Sequence, residues 1–255
     1  MTGATGIAAA TARRLAADGR NVFVISVDGH ADRLAGELGD RGVGAVTADL
    51  RREEEAESAF AAAVSALGGI DGLVAIAGGS GRRSGDGPLH EIPLAGWEAT
   101  LALNLTTTFL SAREALRAFL AAGTPGSIVL TASVLAFSPS PQHFTTHAYA
   151  AAKAAICGLT RSLAASYAES GVRVNAVAPG LVRTPMARRA AGDPEILAFA
   201  ARKQPLARGL IEPDDVAAAC CFALDAVQMT GQVIAFDGGW TVSEGRESPI
   251  PREEA

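Results

Sequence analysis

Thr2-Gly3-Ala4-Thr5-Gly6-Ile7, then a short helical run, then Asn21-Val22-Phe23-Val24-Ile25-Ser26-Val27-Asp28, is the stretch whose reading decides the fold. The first part reads as a glycine turn opening a helix that runs to about Ala17. Glycine lets the backbone approach a pyrophosphate closely, and a helix N-terminus offers N–H groups and a favourable dipole. The second part is a β-branched run with the look of a buried parallel strand, ending on an acidic residue. An acid at that place can accept hydrogen bonds from ribose hydroxyls and would repel a 2′-phosphate. No Arg follows Asp28 to offset that charge, so the spacing favours NAD over NADP. Taken alone, the stretch leaves open a plain terminal turn and an Asp that merely starts a loop.

Working outward, strands and helices alternate. His30 to Asp40 reads as a helix and Gly44 to Ala48 as a strand ending at Asp49-Leu50. Glu53 to Leu67 is a helix with acids in its first turn, where they suit the dipole. Gly72 to Ala77 is a strand running into Gly78-Gly79, and Ser80 to Pro88 reads as an exposed loop carrying Arg82 and Arg83. Leu94 to Ala122 forms one long helix or two, with Asn104 in the middle, a poor helix former that needs a reason to be there. Ser127 to Ala132 is a strand closing on Ser133. A helix from Tyr149 to about Ser170, a strand from Val172 to Ala178, a broken helical region from Thr184 to Arg208, a helix from Asp214 to Leu224 and a strand from Gly231 to Phe236 complete the chain. The broken region, with Gly192-Asp193-Pro194 and Pro205, suits a lid. This alternation argues for one doubly wound parallel sheet with helices on both faces.

Composition narrows the classes. Hydrophobic residues make up 49% of the 255 and charged residues 19%, so a sizeable core is expected and disorder only at the ends. The boundaries expected are one domain over residues 1–243 and a polar, disordered tail over 244–255. A net charge of −5 argues against nucleic acid as the main partner. Cys157, Cys220 and Cys221 lack metal-ligand spacing, so no metal is expected and they read as buried thiols in a reducing compartment. There is neither a signal-peptide pattern nor an apolar run of the ~20 residues a bilayer span needs, and a cytoplasmic protein is expected. Small residues on several faces of the Tyr149 helix would let another helix approach, which points to a homo-oligomer, a dimer or tetramer.

Tyr149-Ala150-Ala151-Ala152-Lys153 places a phenol and an ammonium four residues apart on one helix face. A nearby positive charge favours the phenolate, and a phenol so prepared can exchange a proton with a substrate oxygen. The pair alone leaves an ordinary surface Tyr and Lys open.

The ordered set of motifs resembles the short-chain dehydrogenase/reductase family over nearly the whole chain. It consists of Thr2-Gly3-x-x-Gly6-Ile7, Asp28, Asp49-Leu50, Ala77-Gly78, Asn104, Ser133, Tyr149-x-x-x-Lys153, Val174-Asn175-Ala176-Val177-Ala178-Pro179-Gly180 with Thr184, and Asp237-Gly238-Gly239. The resemblance implies that Tyr149 is the proton donor or acceptor, and that Lys153 binds the nicotinamide ribose and keeps the tyrosine acidic. It implies that Ser133 holds the substrate oxygen and that Asn104 orders a water near Lys153. Asp28 would bind the adenosine ribose, Asp49 and Leu50 the adenine, and Thr184 the nicotinamide amide. Thr2, Gly3, Gly6, Ile7, Ala77, Gly78, Pro179, Gly180 and Val182 would complete the cofactor site. The implied reaction is hydride transfer between NAD and a secondary alcohol or ketone. Loop 138–147 and the segment after Thr184 would supply the substrate contacts, with His90, Gln142, His143, Phe144, Met186 and Arg188 as candidates.

Three features depart from the family pattern. The first strand is missing, which would expose the hydrogen-bonding edges of two neighbours, and a strand is expected to precede Met1 in the natural product. The glycine turn is one residue short, with Ala8 where the last Gly would stand. Ala75-Ile76-Ala77-Gly78 replaces the usual Asn-Asn-Ala-Gly, removing side-chain support for the sheet. Two alternatives stay open: a 3-oxoacyl thioester reductase using NADPH or, because of the missing N-terminal strand, a catalytically weakened nucleotide-fold partner subunit.

Overall fold

The computed structural model describes residues 1–244; all of the expected tail except Glu244 lies outside them. Six parallel strands form its centre: β1 (Val22–Ser26), β2 (Gly42–Thr47), β3 (Gly72–Ala75), β4 (Gly126–Thr131), β5 (Val172–Pro179) and β6 (Val233–Phe236). β1 pairs with β2, while β3, β4, β5 and β6 are neighbours in that order, all parallel. Thr2 bridges the two groups, pairing with Ile25 on one side and Ala75 on the other.

The slot expected to stand empty for want of a first strand is therefore filled at its C-terminal end. Thr2 N–H donates to Val74 O at 3.1 Å, Gly3 N–H to Ile25 O at 2.8 Å and Ile25 N–H to Met1 O at 2.9 Å. The Met1 amino group adds a bond to Phe23 O at 2.8 Å. The loss of sheet support after β3 is also offset. The Thr2 hydroxyl accepts the N–H groups of Ile76 at 3.2 Å and Ala77 at 3.4 Å.

Strand alternation builds two cores. On β4, Ile128 and Leu130 join one cluster while Val129 joins the other, as a period of two requires. The first cluster packs the sheet against α3 (Glu53–Leu67), α5 (Thr107–Ala122) and α6 (His147–Tyr167) through Phe60, Leu116, Phe119 and Ile156. The second packs it against α1 (Ile7–Ala17), α2 (His30–Glu37) and α9 (Pro213–Asp225) through Ala12, Leu15, Leu34 and Leu224. Each large side chain so buried contributes roughly 1.5–3 kcal/mol. Asn175, buried in the middle of β5, donates to Met229 O at 2.8 Å and accepts from Gln232 N–H at 3.1 Å, which ties β6 into place.

Most expected elements are present with ends shifted by a few residues. The long helix over 94–122 is two, α4 (Leu94–Leu101) and α5, joined by a π turn over Ala102–Thr106. The region 184–208 holds a short turn, α7 (Arg188–Ala191) and α8 (Pro194–Lys203). Asp193, expected only as part of a break, caps α8 by accepting from Glu195 and Ile196 N–H at 3.0 and 3.3 Å. All three cysteines are buried and free.

Candidate active site

A cleft of about 1100 Å³ runs along the C-terminal ends of the strands. At one end lie Asp28, Asp49 and Leu50, carried by the tips of β1 and β2. The middle is floored by Gly3 and Ile7, and by Ala77 and Gly78 after β3; Pro179, Gly180, Val182 and Thr184 close it from β5. Ser133, Asn104, Tyr149 and Lys153 lie at the other end. Thr2 and Gly6 do not line the cleft: Thr2 is fully buried behind it, supporting the backbone after β3. Gly6 faces Thr184, whose Cγ2 would lie 2.8 Å from a Cβ at that position. A second depression of about 500 Å³, walled by Arg183, Arg208 and Glu212, contains none of these groups.

The cleft suits a dinucleotide. The N-terminus of α1 has no side-chain cap and no acid in its first turn, and its residues Ile7 and Ala8 line the cleft, so the positive end of the helix faces it unopposed by a carboxylate. The exposed Asp28 carboxylate meets His30 Nδ1 at 2.8 Å. Burial raises its pKa, but hydrogen bonds from the side chain and backbone of His30, and from Ser26, overcome this and hold it below the ordinary value. Asp49 is less free: Arg51 grips both of its oxygens, at 2.8 Å from Nε and 2.6 Å from Nη2. Arg51 thus also lines the end of the cleft that holds Asp28, a basic residue not anticipated there, with its charge offset by Asp49.

At the far end, α6 presents Tyr149 and Lys153 from one face. Lys153 is buried and donates to Thr131 O at 2.7 Å, with its Nζ 5.6 Å from the centre of the Tyr149 ring. Burial lowers the lysine to about 8. The expectation that Lys153 makes the tyrosine acidic is not met in the free chain. Burial raises the Tyr149 phenol above its usual value, and the hydrogen bond with Ser133 pulls it back only in part. Removing both groups from water opposes the charged form of each.

Asn104 sits within the π turn, fully buried. Its amide donates to Gly79 O at 2.9 Å and Thr100 O at 3.0 Å and accepts from Gly79 N–H at 3.2 Å. A π turn widens the helix locally and swings this side chain onto the loop after β3. Gly78 is the neighbour that permits it: a Cβ there would stand 2.8 Å from Asn104 Oδ1 and 3.8 Å from Lys153 Nζ.

The chain matches the family model described as Enoyl-(Acyl carrier protein) reductase over residues 3–241. It is 40% identical over 247 residues to a cis-4-hydroxycyclohexanecarboxylate dehydrogenase of Sinomonas cyclohexanicum, covering 94% of this chain and 95% of that one. A short-chain type dehydrogenase/reductase from Mycobacterium ulcerans superposes with a TM-score of 0.86 at 31% identity, covering 95% and 88% of the two chains. The chain belongs to the short-chain dehydrogenase/reductase family. As a short-chain dehydrogenase/reductase it is an oxidoreductase of alcohols or ketones that uses a nicotinamide cofactor. A polyketide ketoreductase of actinorhodin, solved with NADPH, is also similar, at 31% identity and a TM-score of 0.84 over 94% and 95% of the chains.

Among the candidate substrate contacts, Phe144, Met186 and Arg188 line the cleft of this short-chain dehydrogenase/reductase, whereas His90, Gln142 and His143 do not. Reading the sequence missed Leu135, Arg189 and Trp240, which do. It also missed Asp86. The segment 80–88, read as exposed, buries this carboxylate, which accepts the N–H groups of Ala148 and Tyr149 at 2.9 Å each. The pair Asp-Gly before Pro88 carried no sign of this, because the groups it caps lie on another element.

Proposed function

We propose that the chain is an NAD-dependent dehydrogenase that oxidises a secondary alcohol, with Tyr149 as the general base. The observation that carries this is the grouping of the Tyr149 phenol with Ser133 and the buried Lys153 at one end of a cleft that has Asp28 at the other. When bound, nicotinamide would supply the hydride acceptor needed to turn a carbinol into a ketone. Tyr149 takes the hydroxyl proton that the same step releases. Ser133 donates a hydrogen bond to the substrate oxygen and orients it. Lys153, held by Thr131 O, places positive charge under the phenol as it ionises, and Asn104 fixes the loop of Gly78 and Gly79 beside it. Asp28 would receive the ribose hydroxyls at the far end and disfavour a 2′-phosphate. The ring alcohol in the Sinomonas relative's name supports a carbinol substrate.

The test is a panel of secondary alcohols with NAD and with NADP, following the absorbance of the reduced cofactor. Turnover with NAD, lost in Tyr149→Phe while NAD affinity is kept, is expected. Turnover retained in Tyr149→Phe would remove the role given to the phenol. A marked preference for NADPH and a 3-oxoacyl thioester would favour the reductase reading, which the NADPH-bound ketoreductase supports.

A further inference from the structure

Two arginines from separate elements converge on one backbone oxygen beside the catalytic end of the cleft. Arg82, on the turn after β3, and Arg189, on α7, each donate to His143 O, at 3.2 and 3.1 Å. Both side chains line the cleft. The turn that carries Arg82 also carries Asp86, which holds the N–H of Tyr149, and His143 lies six positions before Tyr149. The two guanidiniums therefore sit on the substrate side rather than among the groups at the ribose end.

Their charge is not balanced. Neither has a carboxylate within ion-pair distance among the described residues. Asp86, the acid that favours the charge of Arg82, has both oxygens committed to the N-terminus of α6. Each guanidinium offers five N–H donors and spends one on His143 O. Partial desolvation of its otherwise exposed side chain, then the repulsion of Arg189, disfavours the charge on Arg82, and an anion placed between the two would relieve that repulsion. The neighbouring wall is apolar: Arg189 lies 6.0 Å from the Phe144 ring, which meets Trp240 edge-on at 5.8 Å.

From this geometry we infer that Arg82 and Arg189 form an anion subsite, and that the substrate is a hydroxy acid with an apolar body and a carboxylate remote from its carbinol. Arginine forks match a carboxylate in two-point fashion, whereas a neutral isostere leaves the donors unpaired. The inference rests on the alcohol dehydrogenase reading for the position of the carbinol, but the charge preference can be measured without turnover.

The experiment is calorimetric titration of cyclohexanecarboxylate and cyclohexanecarboxamide into the full chain, with and without NAD. NAD binding and the oxidation of 4-hydroxycyclohexanecarboxylate and its methyl ester are recorded on the same samples. The carboxylate is expected to bind about 10- to 100-fold more tightly than the amide, and the ratio to fall to near one in the Arg82→Met/Arg189→Met double variant. That variant should keep its NAD affinity and its thermal transition, both arginines being exposed. Arg82→Lys/Arg189→Lys should retain part of the preference through charge alone. Equal binding of the two ligands, binding of neither, or a preference unchanged in the double methionine variant would overturn the inference. Carboxylate preference without NAD binding or any alcohol turnover would instead overturn the dehydrogenase reading and leave the anion subsite standing.

Discussion

Asp86 holds Tyr149 by the backbone, its Oδ2 accepting the Tyr149 N–H at 2.9 Å while Oδ1 accepts that of Ala148. Thr146, at the usual capping position of α6, makes no side-chain cap, so a residue 63 positions from Tyr149 does this work. A carboxylate at a helix N-terminus also complements the dipole.

Replacing it should therefore loosen the first turn of α6 and the phenol with it. Asp86→Ala is expected to lower stability by ~1–2 kcal/mol, the usual cost of a lost cap, and to reduce kcat by about 10-fold through misplacement of the phenol. NAD affinity should hold. Unfolding by urea and steady-state rates measure the two effects; an unchanged kcat would show that the cap serves stability alone.

Lys153 carries a cost in the free chain. Its folded pKa is about 8 against an ordinary value of 10.5, so at pH 7 a buried charge is being maintained. Between about pH 8 and 10.5 the unfolded chain binds more protons than the folded one, so this group's contribution to stability rises with pH in that window. Lys153→Met should be inactive yet more stable at pH 7, by ~1–3 kcal/mol. The difference should shrink as pH rises from 8 to 10. Urea midpoints at pH 7 and pH 10 check this, and a gap that widens with pH would contradict it.

On the proposed reading, Asp28 selects NAD over NADP. Its carboxylate is exposed and held by His30, so Asp28→Ala should cost little stability. The KM for NAD should rise by about 10-fold with the loss of a charge-assisted bond to ribose, while NADP becomes usable. The ratio of kcat/KM for the two cofactors is the readout; a ratio unchanged by the substitution would take Asp28 out of cofactor selection.

Gly78 is required by its neighbours rather than by backbone strain. The new Cβ of Gly78→Ala would press on Asn104 Oδ1 at 2.8 Å, and three hydrogen bonds prevent that side chain from yielding cheaply. Overpacking of this kind costs ~1–3 kcal/mol. Both the thermal midpoint and kcat should fall, and Gly79, freed from Asn104, should exchange its amide proton faster. A variant with native exchange at Gly79 would show that the loop accommodates a methyl.

Much of this architecture is local and so was legible along the chain. The period of two in β4, the acidic first turn of α3 and the four-residue step from Tyr149 to Lys153 depend on near neighbours, because side-chain direction follows from backbone geometry. Asn104 announced itself in the same way, as a residue that a helix would not choose, although the π turn that explains it could not be foreseen.

Tertiary structure alone decided the rest. It set Thr2 between β1 and β3, sent Asp86 to cap α6 and brought Arg82 and Arg189 to one carbonyl. It also reversed the expected acidity of Tyr149, since burial is a property of everything packed around a group and not of its neighbours in sequence. Glycine turns, strand periods and helix faces are written in the order of residues. Which polar group satisfies another across the fold is settled only when the loops are packed, because each donor or acceptor then takes the partner that the lost water leaves it.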